Sequence, residues 1–172
     1  MNIQQQQSTY VAVSTAFTPG ATPVDIFSIT GSATNNIYVQ KMGISTIQNA
    51  AGVNALFIAK RSTANIAGTS AAPAIVTYGS GNSAATATVL QYTANPTTPG
   101  TLVGYAWGGW VNSPIAASAA DPVTEIDFVT AYGQPIELLS TAEVLAFNFK
   151  GAALPAGLSV IAYVVWTESS KT

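Results

Sequence analysis

The sequence contains no cysteine and no histidine. Without cysteine, the chain has no disulfide framework, no thiolate nucleophile and no cysteine-rich metal site. Without histidine, it lacks the commonest general base, the commonest transition-metal ligand and the usual pH switch, and no serine has a histidine to activate it. The standard glycine-rich phosphate loops are also missing. We therefore expect a protein that is not an enzyme and that binds no cofactor.

Charged side chains are scarce as well, at 7% of the 172 residues against 48% hydrophobic ones. Residues 62–120 carry none, whereas a soluble surface normally carries them at roughly a quarter to a third of its positions. A disordered chain shows the opposite balance, so we expect a folded protein with a surface of Ser, Thr, Asn, Gln and Ala. Two such surfaces associate at low cost, because few charges are desolvated and few long side chains are ordered.

This composition excludes several kinds of partner. Only five residues are basic and the net charge is −2, so the chain offers no basic cluster for nucleic acid phosphates. Polar residues, Pro and Gly interrupt each apolar run before it reaches the roughly 18 residues of a membrane span. The first residues lack the basic and apolar regions of a secretory signal. We predict no nucleic acid partner, no membrane partner and a cytoplasmic site of synthesis.

Short runs rich in Val, Ile, Thr, Tyr and Phe recur along the chain between turn residues. Their spacing predicts an all-β fold, namely an antiparallel β-sandwich of jelly-roll-like form. We expect one domain over residues 10–172 and an extended N-terminal arm over residues 1–9, which contain four consecutive Gln. The predicted strands are residues 10–17, 24–30, 36–48, 54–61, 74–79, 86–94, 101–111, 124–132, 135–140, 143–150 and 159–168.

Alternation of apolar and polar residues adds detail to three of these strands. In residues 125–128 and 145–150 it predicts one buried and one solvated face. In residues 36–48 the alternation changes phase, which predicts a β-bulge near Lys41–Gly43. Residues 140–143 match a helix capping box, but the residues that follow alternate with period two, so we predict a turn that leads into a strand.

The last predicted strand is apolar on both faces. We expect Val160, Ala162, Val164 and Trp166 on one face, and Ile161, Tyr163 and Val165 on the other. A strand of this kind in an antiparallel fold needs a cover on its second face. We favour a neighbouring copy of the chain as this cover, and the alternative is that the chain's own long loops supply it.

Three segments resemble a family of small β-rich proteins encoded among the structural genes of tailed bacteriophages. They are LFIAKRSTANIAGTSAAP at residues 56–73, NSAATATVLQYTANPTTPGTLVG at 82–104 and GQPIELLSTAEVLAFNFKGAALPAGLSVIAYVVWTE at 133–168. DIFSITGSA at residues 25–33 is similar to the family's opening segment. The resemblance extends over about residues 24–168.

The resemblance implies a virion structural protein, and within this class a head decoration (cement) protein fits the size and composition best. It implies a homotrimer, a contact with the major capsid protein, a location on the capsid exterior and synthesis in the host cytoplasm. It assigns no catalytic or ligand-binding residue. The alternatives are a neck or tail component, or a receptor- or carbohydrate-binding module of a head or tail fibre.

The segment GYAWGGWV at residues 104–111 holds two of the three tryptophans. Strict alternation places Tyr105 and Trp107 on one face of the strand and Trp110 on the other. One Trp in the core and one outside is the simplest arrangement. We also consider Tyr105, Trp107 and Trp110 as anchors of a protein interface or as platforms for sugar rings.

Two charged segments are further candidates. Lys60 and Arg61, the only dibasic pair, form either a solvated strand end or a contact with acids on another copy or on a capsid protein. Five of the seven acids lie in residues 121–143, and Glu125 and Asp127 are expected on one strand face, with Cα atoms about 6.5–7 Å apart. For these acids we favour a solvated or Lys/Arg-paired face over a Ca²⁺ site, and a glycosidase pair is least expected.

Overall fold

The computed structural model describes residues 7–49, 51–115 and 123–171. Within these residues the protein is all-β with one short helix, as the spacing of the apolar runs predicts. The elements are β1 (Ser8–Val13), β2 (Asp25–Thr30), β3 (Asn35–Ile47), β4 (Gly52–Arg61), β5 (Ser70–Ala71), β6 (Ile75–Thr77), β7 (Thr88–Tyr92), β8 (Leu102–Ser113), β9 (Thr124–Asp127), α1 (Phe128–Tyr132), β10 (Ile136–Leu138), β11 (Val144–Asn148) and β12 (Ser159–Ser170). Only β5 and α1 have no counterpart among the predicted elements.

The strands form two antiparallel sheets. Sheet 1 has the order β10-β3-β12-β1-β6, and β9 pairs with a second part of β3. Sheet 2 has the order β5-β7-β2-β11-β4-β8. No helix in the described ranges is long and apolar enough to cross a lipid bilayer.

Both sheets bury one face in a single hydrophobic core. The first face of the last strand lies there, as predicted, with Val160, Ala162, Val164 and Trp166 fully buried. Tyr10 of β1 stacks on Trp166 with ring centroids 5.6 Å apart, and Phe147 contributes to the same core from sheet 2. Full burial of such a side chain stabilises the fold by about 1.5–3 kcal/mol, so residues of this core hold the two sheets together.

The predicted bulge in the third strand is confirmed, close to its expected place. Along β12 the pairing passes from Lys41 directly to Val39, so Gln40 is the extra residue. This extra residue changes the phase of β3. Ile37 and Val39 before it, and Met42 and Ile44 after it, therefore all point into the core.

The predicted strand 124–132 is correct only as far as Asp127. The Asp127 carboxylate accepts a hydrogen bond of 2.9 Å from the Thr130 backbone N–H and caps α1. Gly133, with φ of 78°, ends this helix in the left-handed conformation that glycine adopts at least cost. Phe128 is nevertheless buried, so the alternation identified an inward-facing side chain but not the backbone conformation.

The prediction of a solvated face on residues 145–150 is wrong for β11, whose residues are buried on both faces. This strand lies inside sheet 2, between β2 and β4. On its outer face, Asn148 donates a hydrogen bond of 2.6 Å to the buried Asp25. The predicted turn before this strand is confirmed, since the Glu143 backbone N–H donates to the Ser140 carbonyl.

The first strand begins earlier than predicted. Ser8 and Thr9, which we assigned to the N-terminal arm, belong to β1 and pair with Glu168 and Thr167 of β12. The arm's residues 1–6 lie outside the described residues.

Candidate interaction surfaces

All five cationic side chains have partners inside the chain. Lys41 pairs with Glu125 and Asp127, Lys60 with Glu143, Arg61 with Asp25, Lys150 with two aromatic rings, and Lys171 with the carbonyls of Ser32 and Ala33. Of the five, only Lys150, which lies against uncharged rings, keeps its charge available for contacts with other molecules, so such contacts involve few cations. The exposed apolar side chains are the main candidates for such contacts.

Arg61 lies in a buried charge cluster and is only 5% exposed. Its guanidinium donates to both carboxylate oxygens of Asp25 at 2.7 and 2.8 Å, and to the Gly100 carbonyl at 2.6 Å. The Asn65 side chain also donates to Asp25, at 2.8 Å. Both interpretations of Arg61, a solvated strand end and an intermolecular contact, are therefore wrong, because its hydrogen bonds fix the loops around residues 65 and 100 to sheet 2.

Lys60 points the other way and connects the two sheets. Its ammonium group donates to the Glu137 carbonyl at 3.0 Å and lies 3.7 Å from the Glu143 carboxylate. The sequence predicted either a solvated strand end or a contact with acids on another molecule, whereas Lys60 contacts acidic residues of its own chain, between β4 and the segment around β10.

Glu168 is a second buried carboxylate, and it was not among the residues predicted from the sequence. It accepts hydrogen bonds from the backbone N–H and hydroxyl groups of Thr86, the Ala87 N–H, the Trp166 indole and the Asn35 amide. Burial alone would raise the pKa of Glu168, but the hydrogen bonds from Thr86, Trp166 and Asn35 outweigh burial and lower this pKa. The sequence contains one signal for its burial, because Glu168 lies two residues after Trp166, on the same face of a strand that is largely apolar.

A polar cleft of about 280 Å³ lies beside Glu168 and is also lined by Gln7, Tyr10, Asn35 and Ser83. Glu168 is the only charged residue in its described lining, and both carboxylate oxygens already accept hydrogen bonds from the chain. The cleft thus offers a ligand no free charged group.

The outer face of sheet 1 carries an apolar surface that we call the valine–tyrosine face. Its residues are Val11, Val13, Val76, Tyr78, Ile161 and Tyr163, and Tyr78 is 64% exposed. Antiparallel pairing places Val13 beside Tyr163, and Val11 between Val76 and Val165. Side chains of directly paired residues lie on the same face of a sheet, so these residues form one continuous surface.

The second face of the last strand is only partly open. Ile161 is 44% exposed, Tyr163 is partly buried and Val165 is 8% exposed. Val165 therefore adds little to any interface, which corrects its prediction as an interface residue. It lies between Val11 and Lys41 on the neighbouring strands, which limit its access to solvent.

Tyr163 is positioned by a glycine and an acid. Its ring lies over Gly43, where an added Cβ would collide with a ring carbon. Its hydroxyl donates a hydrogen bond to the Glu125 carboxylate. Burial and the Glu125 charge raise the pKa of Tyr163, and the hydrogen bond from Tyr163 lowers the pKa of Glu125.

The free edge of sheet 1 beside β3 is acidic. We call Glu125, Asp127, Val129, Tyr132 and Glu137 the acidic edge. Lys41 lies 3.2 Å from Glu125 and 3.9 Å from Asp127, so a lysine-paired acidic face is confirmed for these two acids. The described residues contain no group of three or more side chains suited to hold a metal ion, and Asp121 lies outside them. Tyr132 is 56% exposed at this edge.

The outer face of sheet 2 carries Val53, Phe57, Tyr105 and Trp110, which we call the aromatic face. Trp110 is 72% exposed, and Trp107 packs partly buried against the core on the opposite face. The two tryptophans thus lie on opposite faces, as predicted. Tyr105, however, lies on the same face as Trp110, because Ala106 is an extra residue in the pairing of β8 with β4 and changes the alternation.

Lys150 covers part of the aromatic face. Its ammonium group lies 3.6 Å from the centroid of the Phe57 ring and 4.2 Å from that of Tyr105. These two rings are 5.1 Å apart, and Phe57 lies against Gly108, where an added Cβ would be 2.7 Å from the ring. The face is therefore aromatic with one positive charge on it, and Trp110 is its most exposed ring.

No family model, curated protein or solved structure matches this chain. The resemblance to tailed-phage virion proteins therefore stays a prediction.

Proposed function

We propose that this chain is a structural protein of a tailed-phage virion, specifically a decoration protein that binds the outer head surface as a homotrimer. Its partners are sister subunits and the major capsid protein, and it acts by binding rather than by catalysis. The observation that carries the proposal is the pair of apolar outer faces on a chain whose cations all have internal partners. Such faces bury well against another protein because few charges lose solvent.

We also propose that the two sheets form a jelly-roll sandwich preceded by an N-terminal arm. The strand order supports the jelly roll, because β12 lies between β1 and β3 in sheet 1 and β11 lies between β2 and β4 in sheet 2. Late strands inserted between early ones, alternately in two sheets, are the pattern made by two Greek keys in viral capsid domains. In this arrangement both outer faces are available for contacts.

The proposed mechanism of stabilisation is mass action. A protein that binds the mature shell and not its disrupted form stabilises the shell by an amount that grows with the ratio of its concentration to Kd. Linked copies in a trimer bind with a raised effective concentration. Modest contacts by each uncharged face are then sufficient for firm attachment.

The carbohydrate-binding alternative rests mainly on Trp110, which is exposed as a sugar platform requires. Its two predicted companions do not extend this platform. Trp107 faces the core, and Lys150 lies over the Tyr105 ring. A single free ring suits a protein interface anchor better than a row of sugar subsites.

The test uses undecorated heads of a phage that encodes this chain. We expect saturable binding of the purified protein, a copy number that scales with the major capsid protein, and heads that resist heat disruption better after binding. Failure to bind heads would overturn the decoration role. A copy number equal to one ring at a single vertex would favour a neck or tail component.

A further inference from the structure

We propose that the subunits of the trimer join through a contact in which the aromatic face of one copy packs on the acidic edge of the next. This inference rests on the proposed function and specifies which two surfaces of neighbouring subunits are in contact. A closed ring of three copies with one kind of contact requires two different surfaces on each copy. The aromatic face and the acidic edge are two such surfaces.

The charges favour contact between unlike surfaces. The aromatic face carries one cation, Lys150. The acidic edge carries three carboxylates against Lys41, and Lys60, which donates to the Glu137 carbonyl, is balanced by Glu143. Two aromatic faces in contact would place one Lys150 against another, and two acidic edges would oppose carboxylates. Only the mixed contact pairs opposite charges, and such complementarity selects partners and orientation.

Both surfaces lie at the same lateral edge of the two sheets, where β3, β9 and β10 of sheet 1 lie beside β4 and β8 of sheet 2. There, Lys60 of β4 donates to the Glu137 carbonyl of β10, and the hydroxyls of Thr46 and Ser113 join β3 to β8 at 2.7 Å. The acidic edge lies on the sheet 1 side of this lateral edge and the aromatic face on the sheet 2 side. Two surfaces that converge on one lateral edge of a subunit are what a small ring needs, since both must approach the rotation axis.

Exposed aromatic side chains on both surfaces provide anchors. Trp110 and Tyr132 are among the most exposed large apolar residues, and residues of this type dominate the binding energy of interfaces. Gly108, the preceding residue on the same face of β8, places no side chain beside Trp110. A partner surface can therefore reach the Trp110 ring.

The test is a complementation experiment by light scattering after size exclusion. Trp110→Glu places a carboxylate on the aromatic face, and Tyr132→Glu places one on the acidic edge where it would face Trp110, so each variant alone should be a monomer and the two altered surfaces repel each other. Mixed together, they retain one intact aromatic face and one intact acidic edge. We expect a 1:1 complex of two chains of 17.6 kDa that grows no further.

A control variant and a folding check keep the result specific. Tyr78→Lys changes the valine–tyrosine face, which takes no part in the contact, and should remain a trimer. Near-ultraviolet circular dichroism should show that all three variants retain native packing. Single variants that remain trimers, a mixture that remains monomeric, or a Tyr78→Lys monomer would each overturn the proposed contact.

Different results would overturn the proposed subunit contact and the proposed decoration role. A wild-type protein that binds heads but is monomeric in solution would overturn this contact and leave the decoration role in place. A trimer that shows complementation but does not bind heads would overturn the decoration role and leave the contact in place.

Discussion

Asp25 and Glu168 are both buried carboxylates, but different groups stabilise their charges. Asp25 forms a bidentate ion pair with Arg61 and accepts further hydrogen bonds from Asn65 and Asn148. Glu168 has only neutral donors, namely backbone N–H, hydroxyl, indole and amide groups. One charge is balanced by a cation and the other by oriented dipoles, although both are withdrawn from water to a similar extent.

This difference shows how the described part of the uncharged segment, residues 62–115, folds without a charge of its own. The Asp25–Arg61 pair fixes the loops at Asn65 and Gly100, and Glu168 fixes the backbone at residues 86–87. In each case a buried charge that lies outside the uncharged segment holds a loop inside it. The segment can therefore present an uncharged surface and still have fixed loops.

The largest expected effect comes from removing the cation of the ion pair. Arg61→Met leaves Asp25 buried without its counter-charge, which should destabilise the protein by about 3–5 kcal/mol. The free energy of unfolding in denaturant measures this loss. Adding Asp25→Asn to the variant should recover part of the loss, because it removes the unpaired charge.

The neighbouring Lys60 provides the matched control. It is partly exposed, and its carboxylate partner is 3.7 Å away, so Lys60→Met should cost less than about 1 kcal/mol. Equal losses for the two variants would mean that burial of the Asp25–Arg61 pair has no special effect.

The sequence predicted the strands well because apolar runs and turn residues are local signals. It also predicted the bulge in β3, since a change of phase in the alternation is visible along one strand. The start of α1 was missed because it depends on one hydrogen bond from Thr130 to Asp127, which competes with continuation of the strand. The side on which Tyr105 lies was missed because Ala106 has no sequence signal that marks it as an extra residue.

The two buried carboxylates were beyond sequence reasoning for a different reason. Asp25 and Arg61 are 36 residues apart, and Glu168 lies 82 residues from Thr86. Only the pairing of distant strands brings these groups together. A charged residue in a strand otherwise indicates a solvated face, so the pattern of Lys60 and Arg61 suggested exposure for both.

Replacement of the second carboxylate should have a smaller effect. Glu168→Gln keeps the shape of the side chain, but it replaces one carboxylate oxygen by an NH₂ group. This group cannot accept the hydrogen bonds that the oxygen accepted, so their donors lose a partner. We expect a loss of about 1–3 kcal/mol in the free energy of unfolding. Glu137→Gln at an exposed position is the control and should change stability by less than about 0.5 kcal/mol. A loss for Glu168→Gln as large as that for Arg61→Met would show that neutral donors stabilise a buried charge as strongly as an ion pair does.

The pH dependence of stability should distinguish Glu168 from its amide variant. Burial raises the pKa of Glu168, but its hydrogen bonds lower it further, so the folded-state pKa lies below the ordinary value of 4.5. The stability from this shift is fully present above the unfolded-state pKa and is lost as the pH falls through the folded-state pKa. Unfolding measured from neutral pH to about pH 3 should therefore show the advantage of wild type over Glu168→Gln narrowing below 4.5. A constant difference between the two proteins would contradict this assignment.

The smallest effect is expected at Lys150, whose charge faces aromatic rings instead of a carboxylate. Lys150→Met keeps much of the side chain over Phe57 and Tyr105 and removes only the cation–π attraction, which contributes about 0.5–1 kcal/mol at an exposed site. Denaturant unfolding should detect little change in the monomer. The same variant should weaken assembly, and more strongly at low than at high salt, because salt screens the attraction between Lys150 and the acidic edge. Together with Arg61→Met, this outcome would separate two uses of charge in one chain, namely a buried cation that stabilises the fold and an exposed cation that takes part in the proposed contact between copies.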